Sequence, residues 1–450
     1  MNVITSPYAT KLRYVLDILL LIIFITASFD TVLNIKITGF SIRVCTLVML
    51  IFSAIVLGLS LLKYQKTDIR FLGFGSFLIW FAFLFIFIPN SLLITRGIGY
   101  MVWLCIFFSF IVALSQYIRD VIHFQKILIA YINCFTLIGG LGLMQWALTI
   151  AGLDMNIQYH FKSGIPRVHG FSYEPSYFST YLFVPWVFQF FLYFSGHQEL
   201  KRKVFNRTAL LILTPVICLS FSRMVLLLMI IVLIVKMFSL IRAALIKGKI
   251  LQRDLGFLKM MAACFSGVLM IVAFNFKKFT TIFEGLPVFS RYSHSATIRI
   301  GDFLNTWHVF IKSPLVGYSL GGVAPAIARS KGYIHISQDL VKNTEGMCIF
   351  LEVLAASGII GFIFFMAFML KFIRSTKLLQ RLTKGKSVSD ISSWISVHHL
   401  LVTAWLFQLL LLCLNQNILR NYVWIHMAII NLSFFILKKR AADHAHSTAA

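Results

Sequence analysis

The chain has 450 residues, 59% of them hydrophobic and only 12% charged, with a mean hydropathy of +0.87. Soluble domains carry roughly twice that charged share, so a water-soluble core is excluded and the bilayer must solvate much of the surface. The net charge of +26 is set at the ends of apolar runs, which reads as membrane topology and not as a nucleic-acid footprint.

Apolar runs long enough to cross ~30 Å of hydrocarbon recur along the chain. They are continuous, not alternating, so they predict helices and an all-α, polytopic fold. In chain order the expected spans are 14–33, 41–62, 71–90, 97–118, 127–150, 175–195, 208–221, 223–243, 258–275, 346–370, 395–414 and 421–437. The first follows Met1–Arg13, is too long for a signal-peptide apolar region and lacks a small-residue cleavage site, so it reads as an uncleaved helix. The stretch 208–243 contains Pro215 and the polar tract Ser220-Phe221-Ser222-Arg223, which predict two helices joined by a tight turn.

A cytoplasmic N-terminus places Lys63/Lys66/Arg70, Arg119/Lys126, Lys201–Arg207, Lys236–Lys259, Lys371–Lys386 and Lys438–Arg440 inside. That is the positive-inside pattern, and it predicts about twelve spans with both termini cytoplasmic. A single helix over 208–243 would turn the Lys371–Lys386 cluster outward, against the rule. The expected organisation is nine spans in 1–275, one large outer loop over 276–345, three spans in 346–440 and a disordered tail over 441–450.

The large loop carries Lys277, Lys278, Arg291, Arg299, Lys312, Arg329, Lys331 and Lys342 against Glu284, Asp302 and Asp339. Its positive field would attract an anionic substrate. Within it Ile298–Phe310 has helical spacing, Ser313-Pro314 ends that helix, and Gly317, Gly321 and Gly322 permit tight backbone geometry. The seven cysteines all fall in or beside apolar runs without a C-x-x-C pair. They read as packing residues, with no disulfide, zinc site or other metal cluster expected.

The tract Arg167-Val168-His169-Gly170-Phe171-Ser172-Tyr173-Glu174-Pro175-Ser176-Tyr177-Phe178 sets three ionisable groups where a polar loop meets an apolar helix. Proline suits the first helical position, so Glu174 stands at the start of the sixth span. There it either caps the helix or serves as a base toward a hydroxyl. Arg167 reads either as a snorkelling arginine or as an anion ligand. Arg223, between two apolar runs, calls for a polar cavity or a partner. With Arg299 it completes three arginines from three outer segments, a set suited to a diphosphate because guanidinium binds phosphate oxygens bidentately and stays charged. His335, in Tyr333-Ile334-His335, is the best placed of the loop histidines His294, His308 and His335. Asn343 reads as an N-cap of the following helix, with Glu345 in its first turn.

These elements, in this order, resemble the bacterial O-antigen polymerase and O-antigen ligase superfamily. Arg167–Phe178 resembles its R-x-x-G-F-x-x-x-P tract, and Ser220–Arg223 its S-x-S-R turn. Thr297-Ile298-Arg299 through Trp307, then Pro314-Leu315-Val316-Gly317-Tyr318-Ser319, is similar to the large-loop pattern. Asn343 with Leu351, Gly358 and Gly361 is similar to the helix that follows. The similarity covers residues from about 160 to 365 and is closest to surface-polysaccharide repeat-unit polymerases. It implies a multi-pass enzyme of the bacterial inner membrane. Such an enzyme takes glycans carried on undecaprenyl diphosphate and transfers them to an acceptor sugar hydroxyl at the periplasmic face, without nucleotide sugar, metal or other cofactor. The polymer would be O-antigen, capsule or exopolysaccharide, and a protein partner could set its chain length. Arg167, Arg223 and Arg299 would then face the leaving diphosphate, with His169 and Asn343 lining the site. Glu174 is the first candidate base and His335 the second, while Trp307, Tyr318 and Tyr333 are candidate sugar-stacking faces. In the ligases a histidine precedes the asparagine; here that position is Lys342. That departure counts against transfer to lipid A-core. A lipid-linked sugar flippase is the third reading, disfavoured because no two related halves are visible.

Overall fold

In the computed structural model the residues described are 7–37, 40–64, 69–153, 160–162, 165–195, 198–247, 294–341, 346–383, 389–414 and 418–447, with 255–256, 259, 262, 266 and 344. Seven of their helices are long and apolar enough to cross a membrane, so the chain is a polytopic α-helical membrane protein. They are α2 (Val44–Tyr64), α4 (Ile94–Tyr117), α5 (Val121–Ile150), α9 (Arg223–Lys247), α13 (Ile349–Thr383), α14 (Ser389–Leu414) and α15 (Asn421–Ser447). Between them stand α1 (Pro7–Thr26), α3 (Phe74–Ile86), α6 (Pro175–Phe194), α7 (Gln198–Val204) and α8 (Arg207–Leu219). Eleven of the twelve expected spans therefore coincide with a helix; the run 258–275 lies outside the described residues, apart from isolated positions.

The chain divides into two compact units, with the boundary inside α5. One holds residues 1–131 and 298–450, the other 132–297. In the first, α2 packs on α4, α3 on α13, and α15 on both α4 and α14. Its interior is dense in rings: Phe77 stacks on Phe108, and Phe107 on Trp424. Several polar groups buried there are paired. His398 lies 2.8 Å from the Ser375 hydroxyl and 2.6 Å from that of Ser433, tying α13, α14 and α15 together. Asp30 sits between Arg43 at 2.8 Å and Arg420 at 3.4 Å, all three largely buried.

The second unit is built around α6. Its residues from Pro175 to Phe190 are all buried, although aromatic and hydroxyl side chains lower its hydropathy. Tyr181 stacks on Phe135 of α5 with ring centroids 4.0 Å apart, and the Trp186 indole donates to Thr214 of α8 at 3.0 Å.

Two local outcomes differ from the sequence expectation. Two short antiparallel hairpins, β1 (Asn34–Ile37) with β2 (Phe40–Arg43) and β3 (His160–Lys162) with β4 (Ile165–Arg167), join the helices. As expected, α8 runs through Pro215: the Ser220 N–H bonds the Val216 carbonyl at 3.0 Å, and the helix stops at Leu219, just before the turn. The tail expected to be disordered continues α15 to Ser447. Its alanines extend an existing helix, which carries no nucleation cost.

The described part of the large loop is ordered too. It forms α10 (His294–Lys312), a 3-10 turn at Leu320–Gly322, α11 (Val323–Ser330) and α12 (Gln338–Val341). Between α10 and the 3-10 turn, the chain inserts into a break in α13. Gly358 leaves the helical conformation at φ 59° and ψ −173°. The freed carbonyls of Ala355 and Ala356 accept from the Tyr318 and Ser319 N–H groups at 3.2 and 2.8 Å, and the Ile359 N–H donates to Pro314 at 2.8 Å. A break in a spanning helix needs such replacement partners. The fit is close: a Cβ at Gly358 would fall 2.2 Å from the Leu315 backbone, and one at Gly317 2.4 Å from that of Ala356.

Candidate functional site

The tract singled out in the sequence forms the end of one unit. Gly170 takes φ +54° with its Cα against the Phe178 ring, where a Cβ would meet the ring at 2.7 Å. Only glycine lets the strand β4 turn so tightly into α6. His169 is buried, its Nδ1 3.3 Å from the Ser172 carbonyl, and the Ser172 N–H donates back to His169 at 3.0 Å. This ring holds the turn and presents little surface to a ligand.

Pro175 begins α6, with Glu174 as N-cap by backbone position. Its carboxylate makes no capping hydrogen bond; it accepts instead from the Ser176 hydroxyl at 2.9 Å. The carboxylate is therefore half-buried but not committed to the helix end.

Arg167 reaches the polar turn between α8 and α9. Its Nε–H donates to the Ser220 carbonyl at 2.9 Å and Nη2 to that of Phe221 at 3.4 Å, while the Val168 N–H donates to Leu219 at 3.2 Å. The turn exposes these carbonyls because Phe221 adopts φ 49° and a helix end leaves its last acceptors unpaired. Two of the five guanidinium donors are used. Burial pushes the Arg167 pKa down to about 10; Glu174 nearby pulls it up and Arg223 pushes it down again. The group remains charged near neutrality, and Glu174 and Arg223 both lie within its electrostatic reach.

Arg223 opens α9 and is half-buried; among the described residues it makes no ion pair. Two stretches about 50 residues apart in sequence thus bring two guanidinium groups and one carboxylate together, where α6 and α9 both begin. Helix N-termini carry partial positive charge, so cations and dipoles point the same way, toward binding an anion.

The remaining candidates belong to the other unit. On α10, Arg299 donates to the Leu414 carbonyl at 3.2 Å. Trp307 is 41% exposed and its ring lies beside that of Phe310, with centroids 5.2 Å apart. Tyr333 is exposed, and His335 is exposed beside it. Tyr318 is half-buried, and its backbone serves the repair of α13. Its motif is therefore explained by packing, which the sequence did not reveal. Asn343, Lys342 and Glu345 lie outside the described residues. Among the described residues, no three His, Cys, Asp or Glu side chains are grouped to hold a metal ion.

Two features escaped the sequence reading. The Arg43–Asp30–Arg420 cluster joins residues up to 390 positions apart, and no local pattern signals it. Cys348 and Cys413 lie within interaction range of each other, although neither stands in a C-x-x-C pair.

The chain matches no family model, and a search among curated proteins finds no match. What the structure itself defines is a class: a polytopic helical membrane protein with two arginines and a carboxylate at and just before the starts of α6 and α9.

Proposed function

We propose that the chain is a bacterial inner-membrane glycosyltransferase that polymerises undecaprenyl-diphosphate-linked repeat units. The observation that carries this reading is the cluster of Arg167, Arg223 and Glu174. An acceptor hydroxyl gives its proton to the Glu174 carboxylate as its oxygen attacks the anomeric carbon. The bond from that carbon to the diphosphate breaks, and the electron pair leaves with the diphosphate. Arg167 and Arg223 stabilise the charge that develops there, as fixed cations in a partly desolvated site do. Both termini would be cytoplasmic, about twelve spans would cross the membrane, and the cluster would face the periplasm.

Ligation to lipid A-core uses the same cluster with another acceptor; Lys342, where the ligases have histidine, favours polymerisation. A flippase reading gains some support from the broken helix α13, since transporters use broken helices. The groups freed at this break are however taken up by Pro314, Tyr318 and Ser319, so they are not left for an ion.

The test is reconstitution of purified protein with lipid-linked repeat units. A ladder of lengthened glycans is expected, and it should vanish in Glu174→Gln and Arg223→Gln. A ladder that persists in both variants overturns the assignment. Single units capped onto lipid A-core would indicate a ligase, and units trapped in the cytoplasmic leaflet in cells a flippase.

A further inference from the structure

The far end of α13 carries a surface that the proposed transfer does not use. Beyond its break at Gly358 the helix continues to Thr383, roughly 38 Å at 1.5 Å per residue, more than ~30 Å of hydrocarbon. Its last turns must therefore run through the headgroup layer. One face there is buried, through Phe368, Phe372, Ser375 and Leu379. The opposite face exposes Lys371, Arg374, Lys377 and Arg381. Spacings of three and four residues put these four on one side of the helix. They line a cavity of about 620 Å³ together with the apolar Ala367, Leu370 and Leu378. None of the four is ion-paired to a described acidic residue. Like charges at such spacings repel, so an anion bound among them would relieve that repulsion.

We propose that this groove binds the headgroup of an anionic phospholipid. The phosphate is held by the four cations, with the arginines able to bind it through two parallel hydrogen bonds. The acyl chains begin along Ala367 and Leu370, toward the spanning part of the helix. A soluble acidic partner would have no use for that apolar end. Basic grooves beside spanning helices recognise lipid headgroups by this combination. The inference is independent of glycosyl transfer.

Native mass spectrometry of the purified full-length protein, with phosphatidylglycerol or phosphatidylcholine of identical chains, tests it. Phosphatidylglycerol should be retained at least about tenfold better. Lys371→Gln, Arg374→Gln, Lys377→Gln and Arg381→Gln together should bring it down to the phosphatidylcholine level, while Lys438→Gln with Lys439→Gln should leave it unchanged. If the fourfold variant does not fold, Arg374→Gln with Arg381→Gln gives the same comparison. Equal retention of the two lipids overturns the proposal, as does an equal loss in the Lys438/Lys439 control. Complete displacement by inorganic phosphate also overturns it, because the groove would then read a free anion and not a lipid.

Discussion

At the residue scale, the proposed transfer would give Arg167 a chemical task beside its structural one. Arg167 satisfies the orphan carbonyls at the end of α8 while it stays charged in a partly buried place. Its folded pKa, about 10, lies below the ordinary value for arginine. Between those values the unfolded chain binds more protons, so this group's contribution to stability rises with pH from about 10 upward. Below that range the buried charge is a constant cost. Retaining such a charge favours a functional reading. Arg167→Ala should lower both activity and the thermal midpoint, since it also strands the Ser220 and Phe221 carbonyls. Arg223→Gln should reduce glycan transfer about 100-fold with an unchanged midpoint, because Arg223 makes no ion pair with any described residue. Glu174→Gln should likewise cost about 100-fold without unfolding, as its carboxylate caps nothing. A turnover assay paired with thermal unfolding separates these outcomes.

At the element scale, the break in α13 is the feature most sensitive to a single methyl group. Gly358→Ala places Cβ into the Leu315 backbone and forbids the local φ, and backbone cannot yield as a side-chain tip can. A loss of at least about 3 kcal/mol is expected, read as a lowered thermal midpoint or absent folded protein. At Gly301 in α10, by contrast, an added Cβ would meet nothing within 4 Å. Gly301→Ala should therefore be neutral or gain about 0.5–1 kcal/mol of helix stability. A second sensitive element is the start of α15, held to the loop after α1 by Arg420 and Asp30. Asp30→Asn removes the shared anion between two largely buried arginines and should cost about 3 kcal/mol or more.

At the scale of the whole molecule, the arrangement across the membrane is open to direct labelling. Tyr173 and Tyr333 are exposed, and so is Leu382 at the far end of α13. In a cysteine-free background, Tyr173→Cys and Tyr333→Cys should react with an impermeant maleimide in intact spheroplasts. Leu382→Cys should react only after permeabilisation. The reverse pattern would put the Arg167 cluster in the cytosol and remove the proposed periplasmic chemistry.

The amino-acid sequence alone determined the solvent, the helical class and the turn between α8 and α9, because these follow from hydropathy, charge and breaker residues over short windows. It also marked Arg167, Glu174 and Arg223, since ionisable groups at the edge of an apolar helix stand out. Tertiary structure decided what those groups do: His169 turns inward to hold a bend, while Arg167 meets a turn some 50 residues away. It likewise decided that the glycine-bearing tract 313–322 repairs a broken helix, and that Asp30 bridges Arg43 and Arg420. Hydrogen bonds and charge pairs between distant segments depend on how helices pack, and packing leaves no periodic trace in the chain.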